Sequence, residues 1–88
     1  PITVVVLNNQ ALGWVYHGQR DRPIASSFAA YDHAAIARSM GIEGIRVERP
    51  EEVAPAIGRA VASDVPTVID VVTSLDETFV KVLSPLAR

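Results

Sequence analysis

The sequence predicts an α/β fold, a parallel sheet with flanking helices that makes up an incomplete half of a doubly wound domain. Apolar segments rich in β-branched residues alternate along the chain with segments of helical periodicity, which is typical of parallel sheets covered by helices. The first segment, residues 2–7, is apolar with little alternation, as in a strand covered on both faces. Three predicted strands are too few to surround such a central strand, and 88 residues leave room for one domain.

The first half of the chain predicts one strand and one regular helix. The strand, Ile2–Leu7, is followed by Leu12–Gly18, which fits a short helix or a turn. The next residues, QRDRPIASSFAAY, have mixed charge and no period, and a loop of this length suggests a lid or a binding loop. Asp32 can cap a helix over His33–Met40, which Gly41 would end. The apolar stripe predicted for this helix consists of Ala34, Ile36, Ala37 and Met40.

The second half predicts a strand at about Gly44–Glu48, a helix that begins near Pro50, and a strand at Thr67–Val72. Pro50 suits a first helical turn, but Pro55 lacks an amide hydrogen, so the regular helix is expected to start after a preliminary turn. One more short helix is expected around Glu77–Val82. The buried face predicted for the helix after Pro50 consists of Val53, Ile57, Ala60 and Val61.

Composition and charge exclude several classes of protein. The net charge is −2, and the eight basic residues are scattered among ten acidic ones, so no basic stripe is present to bind nucleic acid. The absence of cysteine excludes disulfides and cysteine-based metal sites, and it agrees with a cytoplasmic protein. No apolar run approaches the roughly 18 residues of a membrane span. Because the chain starts at Pro1 and enters a strand at once, we expect it to be a piece of a longer protein.

The stretch VVVLNNQALGWV ends its apolar run in two adjacent asparagines, Asn8 and Asn9. Ligands of open parallel sheets collect beyond the carboxyl ends of the strands, where this pair is expected. An asparagine oxygen suits Mg²⁺, and the carbonyl of Ala11 can reach the same ion if the chain turns there. Amides near Leu12 would then face phosphate oxygens, and Gly13 would allow a close approach. An ordinary turn after a strand is the alternative that the local pattern alone favours.

A longer comparison favours the binding site. The stretch TVVVLNNQALGWVYHGQ resembles the second half of the thiamin diphosphate motif in the family of acetolactate synthase, pyruvate decarboxylase and benzoylformate decarboxylase. The stretch AAIARSMGIEGIRVERPEEVAPAIGRAVASDVPTVIDVVTS is similar to that family's usual continuation of helix, strand, Pro-Glu-Glu helix and final strand. The resemblance covers nearly the whole chain in order and is nearest to the acetolactate synthase-like members. It implies that residues 1–88 are the C-terminal portion of a thiamin diphosphate-binding domain, with no second domain.

The resemblance also implies ligands for thiamin diphosphate and Mg²⁺. Asn9 would bind the metal through its side chain and Ala11 through its main-chain carbonyl, while Asn8 would hold the turn. The diphosphate would be lined by Leu12, Gly13 and Trp14. The parent would be a thiamin diphosphate-dependent transferase or lyase that acts on a 2-oxo acid, by acetolactate synthase-like carboligation or by decarboxylation.

Parts of the family's site lie outside this sequence. The Gly-Asp-Gly of the motif, whose Asp supplies a further metal ligand, does not occur among the eight residues before Asn9. The glutamate that activates the cofactor belongs to another domain, usually of a neighbouring subunit. The resemblance therefore implies that the parent is a homodimer or homotetramer, that the remainder of the parent chain is a required partner, and that these 88 residues alone are inactive.

One departure from the family bears on the reaction. Pyruvate decarboxylases carry a glutamate soon after Asn-Asn, where this sequence has Val15. That difference argues against a simple aldehyde-releasing decarboxylase and leaves carboligation open. A benzoylformate decarboxylase-like enzyme or a carbon-carbon lyase is the alternative within the family. An alternative of another class is a stand-alone α/β interaction module that uses an exposed sheet edge.

Other polar residues offer weaker candidates for catalysis. His17 follows the diphosphate turn and could reach substrate, although a lone histidine in a loop is more often solvent-exposed. Asp32 and His33, with Ser26 and Ser27, suggest a hydrolase triad, but capping explains Asp32 better and no G-x-S-x-G elbow is present.

Four further residues have either a structural or a functional explanation. Arg20 and Arg22 could bind an acidic substrate from the loop, although Asp21 between them favours a solvated surface. Trp14 could pack on the sheet or over the cofactor, and its residue type alone favours the core. Asp70 lies inside an apolar strand, which predicts either an edge position or a paired carboxylate.

Overall fold

The computed structural model describes residues 1–76, which fall into two compact units. The first unit consists of residues 1–8 and 32–73, and the second of residues 9–31 together with residues 74–76. The elements in chain order are strand β1 (Thr3–Asn8), helix α1 (Gly13–Gly18), helix α2 (His33–Ser39), strand β2 (Glu43–Val47), a 3₁₀ turn (Pro50–Glu52), helix α3 (Val53–Ser63) and strand β3 (Thr67–Val72). This order confirms the predicted α/β class. The helix predicted at Glu77–Val82 lies outside the described residues.

The three strands of the first unit form a parallel sheet in the order β1-β3-β2. In this sheet Asp70 of β3 lies opposite Val6 of β1 and Arg46 of β2. The prediction that the first strand is central is wrong for the described residues, because β1 pairs with β3 alone and leaves side chains such as Leu7 exposed. An apolar strand indicates cover on both faces, but its sequence does not say which segment of the protein provides that cover.

Helix α3 covers one face of the sheet and forms the main apolar core. That core consists of Val47, Ala56, Ala60, Ile69 and Val71, with Ile45 and Val53 packed against it. Of the predicted face, Ala60 is buried and Val53 half-buried, whereas Ile57 and Val61 are exposed and Ala56 takes their place. The helix presents its small residues to the strands because small side chains let the two backbones approach closely.

Helix α2 packs on a glycine of β2. A Cβ added at Gly44 would overlap the carbonyl oxygen of Ala34, so this contact requires a residue without a side chain. Ala34 and Ala37 are buried as predicted, but Ile36 and Met40, which were expected in the same stripe, are exposed. The apolar period therefore marks a helix correctly and misses which of its faces meets the sheet.

The ends of the helices follow the signals in the sequence. Asp32 caps α2 as predicted, since its Oδ1 accepts a hydrogen bond from the amide of Ala35 at 3.0 Å. The preliminary turn predicted before α3 is the 3₁₀ turn Pro50–Glu52, and Oε1 of Glu52 accepts hydrogen bonds from the amides of Glu48 and Arg49 at 3.2 and 3.1 Å.

The second unit contains α1 and a loop that runs to residue 31. Gln19 closes this loop, because its side chain accepts from the amide of Ile24 at 2.9 Å and donates to the carbonyl of the same residue at 3.0 Å. The hydroxyl of Ser26 donates to the same Gln19 oxygen at 2.8 Å. The predicted long loop is thus held by an internal set of hydrogen bonds that the sequence did not reveal.

None of the helices in residues 1–76 combines the length and the apolar character that a membrane span requires.

Candidate functional site

Asn9 is the first residue after β1, and its side chain folds back onto the turn that follows. Its Oδ1 accepts a hydrogen bond from the amide of Ala11 at 3.3 Å, and the intervening Gln10 has a left-handed φ of 63°. This is the hydrogen bond of an asparagine turn, so the turn that the local pattern favoured is present. The bond is long, and a carboxamide oxygen has two lone pairs, so the same oxygen retains the capacity to bind a cation.

Gly13 provides the space that the Asn9 side chain occupies. A Cβ added at position 13 would lie 2.6 Å from Nδ2 of Asn9, closer than carbon and nitrogen atoms approach without a bond. The predicted close approach of the backbone at Gly13 to the diphosphate stays a prediction, and the structure shows that the missing Cβ makes room for the Asn9 side chain.

The main chain on either side of Ala11 is held by an isolated antiparallel bridge to Ser27. The amide of Leu12 donates to the carbonyl of Ser26 at 2.7 Å, and the amide of Phe28 donates to the carbonyl of Gln10 at 2.8 Å. Among residues 1–76, the carbonyl of Ala11 and the amide of Gly13 make no hydrogen bond. The amide of Leu12 is therefore already engaged, whereas one acceptor and one donor of this turn remain available to a ligand.

Trp14 lies at the start of α1 with 71% of its surface exposed. The expectation that it packs in the core is wrong for the described residues. Leu12, which precedes the helix, is also exposed, so two large apolar side chains of this turn face outward.

Asn8 belongs to the strand and not to the turn. It is the last residue of β1, is only 5% exposed, and donates from Nδ2 to Oδ2 of Asp70 at 3.2 Å. Its main-chain carbonyl accepts a hydrogen bond from the amide of Thr73 at 2.8 Å. The interpretation that Asn8 holds the turn is therefore wrong, because its side chain is directed to a buried carboxylate of the sheet.

Asp70 is fully buried on the middle strand, so the edge position is wrong and the paired alternative is confirmed. Besides Asn8, its Oδ2 accepts from the amide of His33 at 2.9 Å and from Nη1 of Arg46 at 3.2 Å. Its Oδ1 lies 3.4 Å from Nδ1 of His33. We call this group of four residues, Asn8, His33, Arg46 and Asp70, the Asp70 cluster. The sequence marks this aspartate as unusual in an apolar strand but does not reveal its hydrogen-bond donors.

The remaining candidates have structural partners of their own. Nε2 of His17 lies 2.6 Å from the carbonyl oxygen of Leu75, and its ring meets that of Tyr16 edge to face. Ser26 donates to Gln19, and Asp32 caps α2. These contacts explain the residues without catalysis, and the weak catalytic role of His17 stays a prediction.

Asp32 has a pKa below its ordinary value. The amide of Ala35 donates to its carboxylate and lowers the pKa below 3.8, against a smaller opposing effect of burial and with help from the charges of Arg46 and Arg38. Nη1 of Arg46 lies 3.8 Å from Asp32 Oδ1. This shift follows from helix capping and does not indicate a catalytic acid.

Two oxygen atoms of the Asn9 turn are of the type that binds a cation. A carboxamide oxygen and a carbonyl oxygen are hard, neutral ligands of the kind that Mg²⁺ accepts. Within residues 1–76 no group of three histidine, aspartate or glutamate side chains is arranged to hold a metal ion. The turn therefore presents two neutral oxygens of the kind that Mg²⁺ accepts, at Asn9 and Ala11.

Comparison with known proteins identifies the family. Residues 1–71 match the family described as "Thiamine pyrophosphate enzyme, C-terminal TPP binding domain", where thiamine pyrophosphate is thiamin diphosphate. The chain belongs to this family, as the resemblance in its sequence implied, and its parallel sheet with flanking helices is consistent with part of such a domain.

Three relatives resemble most of the chain. "Putative thiamine pyrophosphate-containing protein YdaP" of Bacillus subtilis (strain 168) is 43% identical over 74 residues, which cover 81% of this chain and 13% of that protein. "Sulfoacetaldehyde acetyltransferase" of Castellaniella defragrans is 38% identical over 65 residues, 69% of this chain and 11% of that protein. "Probable acetolactate synthase large subunit" of Methanococcus aeolicus is 32% identical over 75 residues, 80% of this chain and 12% of that protein. The chain thus spans a small fraction of each relative's length.

Proposed function

We propose that this chain is the C-terminal portion of the diphosphate-binding domain of a thiamin diphosphate- and Mg²⁺-dependent enzyme that acts on 2-oxo acids. The observation that carries the proposal is the fold of Asn9 onto Gly13, in which a Cβ at position 13 would lie 2.6 Å from the asparagine side chain. The membership of residues 1–71 in the family supports the choice of cofactor.

Each residue of the turn has a proposed role in holding the cofactor. Asn9 binds Mg²⁺ through Oδ1 and Ala11 through its main-chain carbonyl, and the amide of Gly13 donates to a phosphate oxygen. The exposed apolar side chains of Leu12 and Trp14 line the diphosphate and shield it from water. When bound, thiamin diphosphate supplies a nucleophilic carbon and an electron sink for chemistry next to the carbonyl of a 2-oxo acid. The chain's own part is to bind and orient.

The reaction proposed is acetolactate synthase-like carboligation or decarboxylation. The name of one relative, a sulfoacetaldehyde acetyltransferase, describes transfer of an acetyl group and supports a transferase, and the name of another, a probable acetolactate synthase large subunit, supports the acetolactate synthase-like reaction. Val15, which stands where pyruvate decarboxylases carry a glutamate, argues against a simple aldehyde-releasing decarboxylase and leaves carboligation open. A benzoylformate decarboxylase-like enzyme or a carbon-carbon lyase is the alternative within the family.

The remainder of the parent chain and a second subunit are the proposed partners. The turn offers two neutral oxygens, and the family resemblance implies that a carboxylate ligand comes from elsewhere in the parent and the cofactor-activating glutamate usually from a neighbouring subunit, which supports a homodimer or homotetramer. A cytoplasmic location stays a prediction. The stand-alone interaction module is tested by the coding sequence upstream of Pro1, where Gly-Asp-Gly would contradict it and a start codon would support it.

A pair of substitutions at Asn9, made in the full-length protein that contains this chain, tests the metal ligand. Asn9→Leu removes the oxygen and should weaken Mg²⁺-dependent binding of thiamin diphosphate by about 100-fold or more, since even residues that only support a metal ligand contribute about 10- to 100-fold. Asn9→Asp keeps an oxygen in place and should retain most of the binding. Titration calorimetry with Mg²⁺ and thiamin diphosphate measures both, and equal affinities for the two variants would contradict the assignment.

A further inference from the structure

We propose that Asp70 is a positioning residue whose buried carboxylate fixes the end of β1 and thereby the point at which the chain continues into Asn9. The inference rests on the proposed function, because it gives Asp70 a role in Mg²⁺ binding although Asp70 itself does not touch the metal. Nothing in the family resemblance assigned a task to this residue.

One oxygen of Asp70 joins three elements of the first unit. Oδ2 accepts from Nδ2 of Asn8 at 3.2 Å, from the amide of His33 at 2.9 Å and from Nη1 of Arg46 at 3.2 Å. These donors belong to the end of β1, the start of α2 and the middle of β2. A substitution of Asp70 therefore alters a hydrogen bond to each of these three elements.

Burial of the Asp70 carboxylate costs free energy that its partners must offset. Asp70 is fully buried on the middle strand, and a carboxylate taken out of water requires hydrogen-bonding or charged partners. Its neighbours Ile69 and Val71 lie in the core with residues of α3, so the alternation along the strand turns Asp70 to the opposite face, where its Oδ2 meets three donors. An apolar residue at position 70 alone would leave these donors without this acceptor. It would also remove the directional bond to Asn8.

Asn8 is the donor that links the cluster to the candidate site. Its main-chain carbonyl accepts from the amide of Thr73, and its side chain donates to Asp70. Loss of the side-chain bond would remove one of the contacts that hold this residue at the end of β1. Asn9 is the next residue in the chain. Greater mobility of the Asn8 backbone would therefore also make the residue that is proposed to bind Mg²⁺ more mobile.

The alternative is that the Asp70 cluster only anchors α2 through His33 and Arg46. The two roles differ in what they predict. An anchor for α2 contributes only to the stability of the fold. A positioning residue also sets the affinity for Mg²⁺, and the binding lost on its substitution is restored by a higher Mg²⁺ concentration.

The test compares three variants of the full-length protein. Asn8→Ala removes the donor, Asp70→Asn keeps the size of the side chain and removes its charge, and Ala56→Gly destabilises α3 on the opposite face of the sheet. For each variant, Tm is measured, and the Kd for Mg²⁺ is measured with saturating thiamin diphosphate, well below Tm. We expect the Kd to rise about tenfold for Asn8→Ala and Asp70→Asn, the lower end of what residues supporting a metal ligand contribute.

The control variant, Ala56→Gly, separates an effect on the position of Asn9 from an effect on the stability of the fold. Ala56→Gly should lower Tm and leave the Kd for Mg²⁺ unchanged. If Asn8→Ala and Asp70→Asn lower Tm with an unchanged Kd, the positioning role is overturned and the cluster is structural. If Asp70→Asn does not fold, Asn8→Ala alone decides. If the unsubstituted protein shows no Mg²⁺-dependent binding, the proposed function fails and this inference fails with it, a result that the variants cannot mimic.

Discussion

At the scale of single residues, Gly13 and Asn9 pack closely in the candidate site. Gly13→Ala places a Cβ 2.6 Å from the present position of Nδ2 of Asn9, so the asparagine side chain must move. The same substitution favours helix α1 by up to about 1 kcal/mol, because alanine is the better helix former. We therefore expect Mg²⁺-dependent binding of thiamin diphosphate to weaken by about tenfold or more, with Tm unchanged or slightly raised, in calorimetric titration of the full-length protein.

Gly18→Ala is the matched control, because Gly18 ends the same helix and a Cβ there meets no atom within 4 Å. It should share the effect on the helix and leave the affinity unchanged. Equal affinities for the two alanine variants would show that the Asn9 side chain has no part in the site.

Two adjacent residues of one type illustrate how far the sequence could predict this site. The motif that ends on Asn9 predicts it as a metal ligand, which stays a prediction, whereas the turn that the local pattern favours there is present and follows from the chemistry of its side chain. The sequence predicts Asn8 in the same turn. Its side chain instead donates a hydrogen bond to Asp70, 62 residues further along the chain. A contact between residues so distant leaves no local pattern, so only the structure could reveal it.

At the scale of elements, helix α2 begins at the carboxylate of Asp32, and the ionisation of this group affects the free energy of unfolding. The amide of Ala35 lowers the pKa of Asp32 below its ordinary value of 3.8, so the folded protein favours the charged form. The stabilisation is therefore complete above that value and is lost as the pH falls below it through the lower pKa of the folded state. Asp32→Ala should lower the free energy of unfolding by about 1 kcal/mol near pH 7, and by progressively less below pH 3.8.

Urea denaturation of the full-length protein at neutral and acidic pH measures this difference. Asp32→Asn is the control, because asparagine caps helices as well as aspartate does but carries no charge. It should retain most of the stability near pH 7. A deficit for Asp32→Ala that stays constant down to acidic pH would contradict the role of the charge.

The same element shows why some features were predictable and others were not. The cap at Asp32, the turn at Pro50 and the strand Thr67–Val72 depend on residues close in sequence, and the structure confirms all three. The buried faces were predicted less well, since Ile36 and Ile57 are exposed while Ala34 and Ala56 are buried. Hydrophobicity alone favours the larger residues, whereas close packing on a glycine-containing strand selects the smaller ones.

At the scale of the whole molecule, β1 is the element whose surroundings are incomplete within the described residues. Val4 and Val5 point to opposite faces of the sheet and are both exposed, as is Leu7. A strand so apolar on both faces is typical of the interior of a parallel sheet. Because the relatives are many times longer than this chain, the remainder of the parent is the proposed source of both the cover and a neighbouring strand.

The pairing of β1 makes this proposal testable at single amides. The carbonyls of Ile2 and Asn8 accept hydrogen bonds from Thr67 and Thr73, so the even-numbered residues of β1 direct their main-chain groups to β3. The amides of Val5 and Leu7 then point to the other side. In hydrogen exchange of the full-length protein, these two amides should be protected as strongly as those of Val4 and Val6, because a further strand pairs with them. Fast exchange at Val5 and Leu7 beside protected Val4 and Val6 would instead make β1 a true sheet edge, as the stand-alone interaction module requires.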